Sequence, residues 1–472
     1  MRRQWFTGLC CALLSAGAAA STALIDAIKA DDTAAALALI DSRVDVNEAE
    51  SDGTTPLQWA VYRNNDQLVA RLIKARAKVA TANDYGATPL AAAADVGNIA
   101  ILQALLKAGA KADTPNPDGQ TPLMMIARTD NVEAARLLLK HGADVNARET
   151  WRGQTALMWA AGESQPAMVA ELIKAGAKVD ERSFVNDWER QVTAEPRFQN
   201  RPAGGLTPLI YAARQGCLAC AKLLVEAGAN VNLADPQGVT PLIVASQNFS
   251  FDVASYLLSK GANPNKWDWW GRTPLYMAVD LNTIPHGGRS DLPSLDETTN
   301  IELIDQLLKA GANPNLQLKL FPPYRHTFAD RGLDGMLTIG TTPLLRAAKA
   351  GDVAAVDLML QHGANPNLPN VQGITPVMAA ARLGSGANDT RGRFITPQES
   401  IATLKLLLAA GGDVNARNQN GQTALFGAAL YGWNEVVTFL ANNGAALDVK
   451  DANDKTPIDA ALGRAGGQGR GA

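Results

Sequence analysis

Thr-Pro-Leu recurs along this chain at Thr55, Thr88, Thr121, Thr207, Thr240, Thr273 and Thr342. Variants stand at Thr155 (TAL), Thr375 (TPV), Thr423 (TAL) and Thr456 (TPI), with a weaker copy at Thr22 (TAL). Successive spacings are 33, 33, 33, 34, 52, 33, 33, 69, 33, 48 and 33 residues. A period of this length marks a repeat array, in which no unit buries its own apolar face and stacked neighbours supply the core. Each unit reads the same way. A glycine two residues before the threonine, as at Gly119 or Gly271, suits a tight turn. Threonine can cap a helix, and proline suits the first helical position. A short Ala-rich helix follows, as in LIYAAR at Leu209 to Arg214, then a more apolar one, as in AKLLVEAG at Ala221 to Gly228. Asn-x-Asn or Asp-Val-Asn closes the unit.

The pattern G-x-T-P-L-x-x-A-A…L-L-x-x-G-A-x-x-N resembles the ankyrin repeat family over roughly residues 22 to 462. The resemblance implies an all-α fold, a single solenoid over residues 21–462 of about twelve helix–turn–helix units with hairpin-like connecting turns. The histidine common after Thr-Pro-Leu is missing; Gln58, Ala91, Met124, Ile210 or Tyr276 takes its place. In the last unit Asp454 replaces the turn glycine, and a Gly-rich tail, 463–472, stands where a second helix would come.

The long spacings locate four insertions, near residues 183–203, 283–299, 317–339 and 385–400. The first and third lengthen turns, which in the family border the concave face. The other two lengthen helix-to-helix loops. The turn inserts carry Phe184, Trp188, Phe198, Phe321, Tyr324 and Phe328, unlike disordered segments, which are poor in aromatics. The inserts are similar to those of a group of exported bacterial ankyrin proteins.

MRRQWFTGLCCALLSAGAAAS opens with Arg2 and Arg3, continues with an apolar stretch and reaches Ala18-Ala19-Ala20. That is a secretory signal peptide with cleavage near Ala20. It makes the periplasm or secretion the expected destination, with no membrane insertion afterwards. The formal net charge of −3 is spread along the chain without a basic stripe, which argues against nucleic acid. After cleavage two cysteines remain, Cys217 and Cys220, at the start of a second helix. One CxxC supplies only two ligands, too few for zinc. The pair is open to reading as a local disulfide, as two buried thiols or as a redox motif.

Turn tips are normally polar, yet NKWDWWGRTPLY places Trp269 and Trp270 where the neighbouring unit has Pro236 and Gln237. Other tips hold Tyr85 and Trp151. Trp and Tyr dominate binding hot spots because they offer area with few rotors to freeze. The expected function is a non-enzymatic scaffold that binds an unidentified protein through its concave face, with Trp151, Trp188, Trp269, Trp270, Arg272, Tyr276, Tyr324 and Arg325 in contact. Trp267, and less so Trp269 and Trp270, are also open to packing under the insert that follows Asn315, with one ring buried and another exposed as a further option. One alternative is glycan or small-ligand binding in a Trp-rich groove. Another is an enzyme using His286 or His326 with insert carboxylates, although no recognised catalytic spacing is present. No cofactor is implied.

Overall fold

The computed structural model describes residues 23–186, 203–282, 295–320, 336–385 and 395–465. Among these the regular structure is helical, apart from an isolated antiparallel bridge between Val185 and Gly204. The residues gather into two compact units. One draws on Met1–Val185, Gly204–Ala212 and Ala219–Ala229; the other draws on Asn186–Ala203, Ala213–Leu218 and Asn230–Ala472.

In both units a short helix beginning at the Thr-Pro step is followed by a second helix. Pro56–Tyr62 precedes Asp66–Lys74, and Pro89–Val96 precedes Ile99–Lys107. In the second unit Pro241–Gln247 precedes Phe251–Ser259 in the same way. Threonine performs the capping its position suggests. The hydroxyls of Thr55, Thr240 and Thr342 accept the amide three residues on at 3.3, 3.2 and 3.0 Å, each cap contributing about 1 kcal/mol. Thr423 departs from this: its hydroxyl is buried and makes no such bond. At the place of the missing histidine, Gln58 accepts the Thr55 amide at 2.7 Å and donates to the Ala87 carbonyl at 2.6 Å, linking two successive turns.

Small residues let the paired helices approach. Ala60, Ala93, Ala160, Ala245, Ala278 and Ala347 hold one column of the first helices and are fully buried. The second helices supply bulk, as with Leu68, Val69 and Leu72, or Leu303, Ile304 and Leu307. Each such leucine contributes roughly 1.5–3 kcal/mol on burial.

The closing Asn-x-Asn has a structural use that its sequence does not declare. The second asparagine reaches the following repeat. Asn232 donates to the Gly261 carbonyl and accepts the Asn263 amide at 2.7 Å. Asn265 does the same with Gly311 and Asn313, and Asn315 with Gly363 and Asn365. Asn146 makes the equivalent link to Gly176 and Lys178 in the first unit. A ladder of amides therefore runs through each unit.

The described ends of the inserts are anchored. Ser183 donates to the Leu206 carbonyl and Gly205 to the Phe184 carbonyl, giving the first insert a short antiparallel stem. The third is closed by Leu318 and Thr341, joined at 3.0 Å, while Gly340 donates back to Leu318 at 2.8 Å. The fourth is shorter than expected. Its last residues, Pro397 to Ser400, form the first turn of the helix Pro397–Ala409, closed by a Thr396/Glu399 capping box. The C-terminal helix Pro457–Ala465 likewise runs past Gly463, where the tail was expected to start.

Candidate functional site

Six of the tips, those at Gly86, Gly119, Gly238, Gly271, Gly373 and Gly421, are turns built on an acidic or amide side chain three residues before the glycine. Asn83 accepts the amides of Tyr85 and Ala87 at 3.1 and 2.9 Å, and Asp268 those of Trp270 and Arg272 at 3.1 and 2.9 Å. The next amide bonds the preceding tip: Asp84 to the Asp52 carbonyl at 2.8 Å, and Trp269 to the Gln237 carbonyl at 2.7 Å. The backbone is therefore fixed before any partner arrives. Sequence reading named the glycine and missed this acceptor, which is legible as Asp/Asn-x-x-Gly. Carboxylates used in this way are held below their ordinary range. Asp451 is one, chiefly through the Lys455 amide, and Asp52, immediately before Gly53, is also held down, chiefly through the Thr54 amide.

The tryptophan tip divides its three rings. Trp269 is 67% exposed. Trp270 is half-buried with the Arg272 guanidinium 4.8 Å from its ring, and its carbonyl accepts the Lys319 amide at 2.9 Å. The Lys319 ammonium lies 3.7 Å from the Trp267 ring. Gly271 is a position where only glycine fits, since its φ is +84° and a Cβ would stand 2.6 Å from the Lys319 nitrogen. The start of the third insert thus packs on this tip, engaging Trp267 and Trp270 and leaving Trp269 outward.

Two residues expected at the centre of a contact surface are buried. Arg272 is 7% exposed and is ion-paired through Nε to Asp268 Oδ2 at 2.7 Å. Tyr276 is 3% exposed and packs with Ile243, Met277 and Leu318. Both belong to the core that supports the tip. Trp188, Tyr324, Arg325, His286 and His326 lie outside the described residues, as does the N-terminal segment read as a signal peptide. Cys217 and Cys220 are each disulfide-bonded.

In the first unit, Trp151 is 74% exposed on a tip one residue longer than those at Asn83 and Asn116. The buried Glu149 carboxylate gathers the amides of Trp151, Arg152 and Gln154 at 2.6, 2.7 and 2.9 Å. Beside the tips, the fourth residue after Thr55, Thr88, Thr121 and Thr155 is only partly buried on the first helix. Trp59, Ala92, Met125 and Trp159 occupy this column. Lys29 lies 4.6 Å from the Trp59 ring and is ion-paired to Glu50, which also accepts the Trp59 indole N–H at 2.7 Å. Arg128 lies 5.1 Å from the Trp159 ring and 3.9 Å from Glu163. Between these aromatic positions is a cavity of about 750 Å³ lined by Tyr85, Ala92, Asp95, Asp118, Met125 and Arg128, among others. Sequence reading noticed Tyr85 but not this hollow.

Among the described residues no group of His, Cys, Asp and Glu could hold a metal ion, and no helix is long and apolar enough to cross a membrane. The family pattern for ankyrin repeats matches residues 24–116, 90–183, 189–268, 295–388 and 396–467, most of the chain.

The chain belongs to the ankyrin repeat family.

Ankyrin repeats are in general protein–protein interaction scaffolds. The chain is 28% identical over 149 residues to human SH3 and multiple ankyrin repeat domains protein 2, covering 28% of this chain and 8% of that one. It is 33% identical over 121 residues to mouse ankyrin repeat and SOCS box protein 16, covering 26% and 25% respectively. It therefore spans a quarter or less of these two curated relatives. Among solved structures, the human ASB11 ankyrin repeat domain is 25% identical, with a TM-score of 0.42, covering 51% of this chain and 98% of that one.

Proposed function

We propose that this ankyrin protein is an exported, non-enzymatic scaffold that binds a protein partner on the face formed by its first helices and turn tips, the side expected to be concave. Trp269 carries the reading: it stands 67% exposed on a tip whose backbone is bonded to the preceding tip and whose neighbouring rings are engaged by cations. A large rigid side chain presented in this way is the composition of a hot spot. Trp151 has the same character in the first unit. The N-terminal pattern of the sequence supports export to the periplasm.

The test is a pull-down from periplasmic extract with wild type, Trp269→Ala and Trp151→Ala, with melting followed by circular dichroism. The expected result is loss of a specific bound protein from at least one variant with its melting temperature unchanged. Full retention of the bound protein by both variants refutes the proposal, as does a fall in melting temperature accounting for the loss.

A further inference from the structure

We propose that the hollow over Ala92 in the first unit receives an arginine or lysine side chain of an extended partner segment. This rests on the protein-binding reading above and names the chemistry of the partner. The argument begins with the arrangements on either side. At Trp59 a ring, a cation and a carboxylate come together as Trp59, Lys29 and Glu50. At Trp159 the same three groups are Trp159, Arg128 and Glu163. In the hollow the ring is Tyr85, 69% exposed, and the carboxylates are Asp95 and Asp118. The lining cation, Arg128, is already committed to Trp159 and Glu163. Neither Asp95 nor Asp118 makes an ion pair among the described residues. The third arrangement has every component except its cation.

Size agrees with charge. Ala92 stands in the column that holds Trp59 and Trp159, so the array lacks a ring's worth of volume at that place. The cavity, about 750 Å³, accommodates a long side chain with the backbone that carries it. Met125, Ala91 and Ala92 offer apolar contact to the methylene stem, and a cation above Tyr85 is attracted to its ring face.

The test uses the full chain and a random dodecapeptide display library. Peptides recovered on wild type are sequenced, then measured by fluorescence polarisation against wild type, Ala92→Trp and Asp95→Asn/Asp118→Asn. Tryptophan already occupies the Ala92 column in two other repeats, and both aspartates are exposed, so melting temperatures should stay unchanged. The expected result is enrichment of Arg or Lys in the recovered peptides and at least a tenfold loss of affinity on each variant. If Ala92→Trp proves unstable, the aspartate pair decides alone. A pool without basic enrichment, binding indifferent to the variants, or spermidine binding as tightly as the best peptide overturns the assignment. Should that happen while Trp269→Ala still releases the partner in the pull-down, the scaffold reading stands and only this pocket falls.

Discussion

Asp268 and Arg272 form a deeply buried ion pair, at 1% and 7% exposure, beneath the tip that presents Trp269. Asp268 has two tasks that can be separated. Its Oδ1 shapes the turn by accepting two backbone amides, while its Oδ2 neutralises Arg272. Asn370 performs the first task unaided in another repeat, where Ile374 stands in place of the arginine. Asp268→Asn should therefore keep the turn and leave a buried guanidinium uncompensated, at a cost of about 3 kcal/mol. Asp268→Ala should lose the two turn bonds as well, for about 5 kcal/mol in all. The double variant Asp268→Asn/Arg272→Ile reproduces the Asn370–Ile374 arrangement and should return to within about 1 kcal/mol of wild type, because a buried ion pair exchanged for apolar packing is close to neutral. Urea unfolding followed by tryptophan fluorescence gives the cycle, and hydrogen exchange over residues 268–276 reports the tip separately if the array does not unfold in one step. A loss below about 1 kcal/mol for Asp268→Asn, or a double variant no better than the sum of the singles, would show that the pair is not acting as a desolvated unit.

Two further outcomes follow from local geometry. Gly119 has φ +77°, and a Cβ there would lie 2.6 Å from the Thr150 nitrogen, so Gly119→Ala should cost about 2 kcal/mol or more in chemical unfolding. The Glu302 carboxyl is held below its ordinary value of 4.5, chiefly by the Thr299 amide in a capping box. A depressed folded value means that this stabilisation is present above 4.5 and disappears as the pH falls through the folded value. Glu302→Gln keeps a capping acceptor, so acid unfolding curves should lose part of their slope below pH 4.5 while the neutral-pH melt changes little.

The period was legible because it rests on backbone chemistry: a threonine that caps, a proline that starts a helix, a glycine that turns. The inserts were legible as excess length, and their ends only approximately, because the Pro397–Ser400 turn looks like loop until the Thr396/Glu399 box is recognised. The tip was read less well. Trp269 and Trp270 are adjacent in sequence, but Lys319 comes from a distant segment and engages only one side of the turn. Tyr276 could have been placed inside, since the same column holds Ile210, Ile243 and Leu345, all buried. Arg272 could not, because the adjacent repeats hold Val239 and Thr341 at that position and only the contact with Asp268 accounts for a buried charge. The Ala92 hollow is visible as a missing ring in the Trp59–Trp159 column, but only once that column is known to face outward.

The asparagine ladder measures distance in space and is indifferent to distance along the chain. The Asn232 and Asn415 amides cross 29 residues to their carbonyls, while those of Asn265, Asn315 and Asn367 cross 46, 48 and 44 to make the same bond. Lengthening a closed loop from about 30 to about 48 residues adds only about 0.4 kcal/mol of closure entropy, less than one such bond contributes. Extra chain is therefore thermodynamically cheap wherever a rung spans it. Evolution, or an engineer, can graft new loops onto this frame one at a time, with the rungs on either side holding their register.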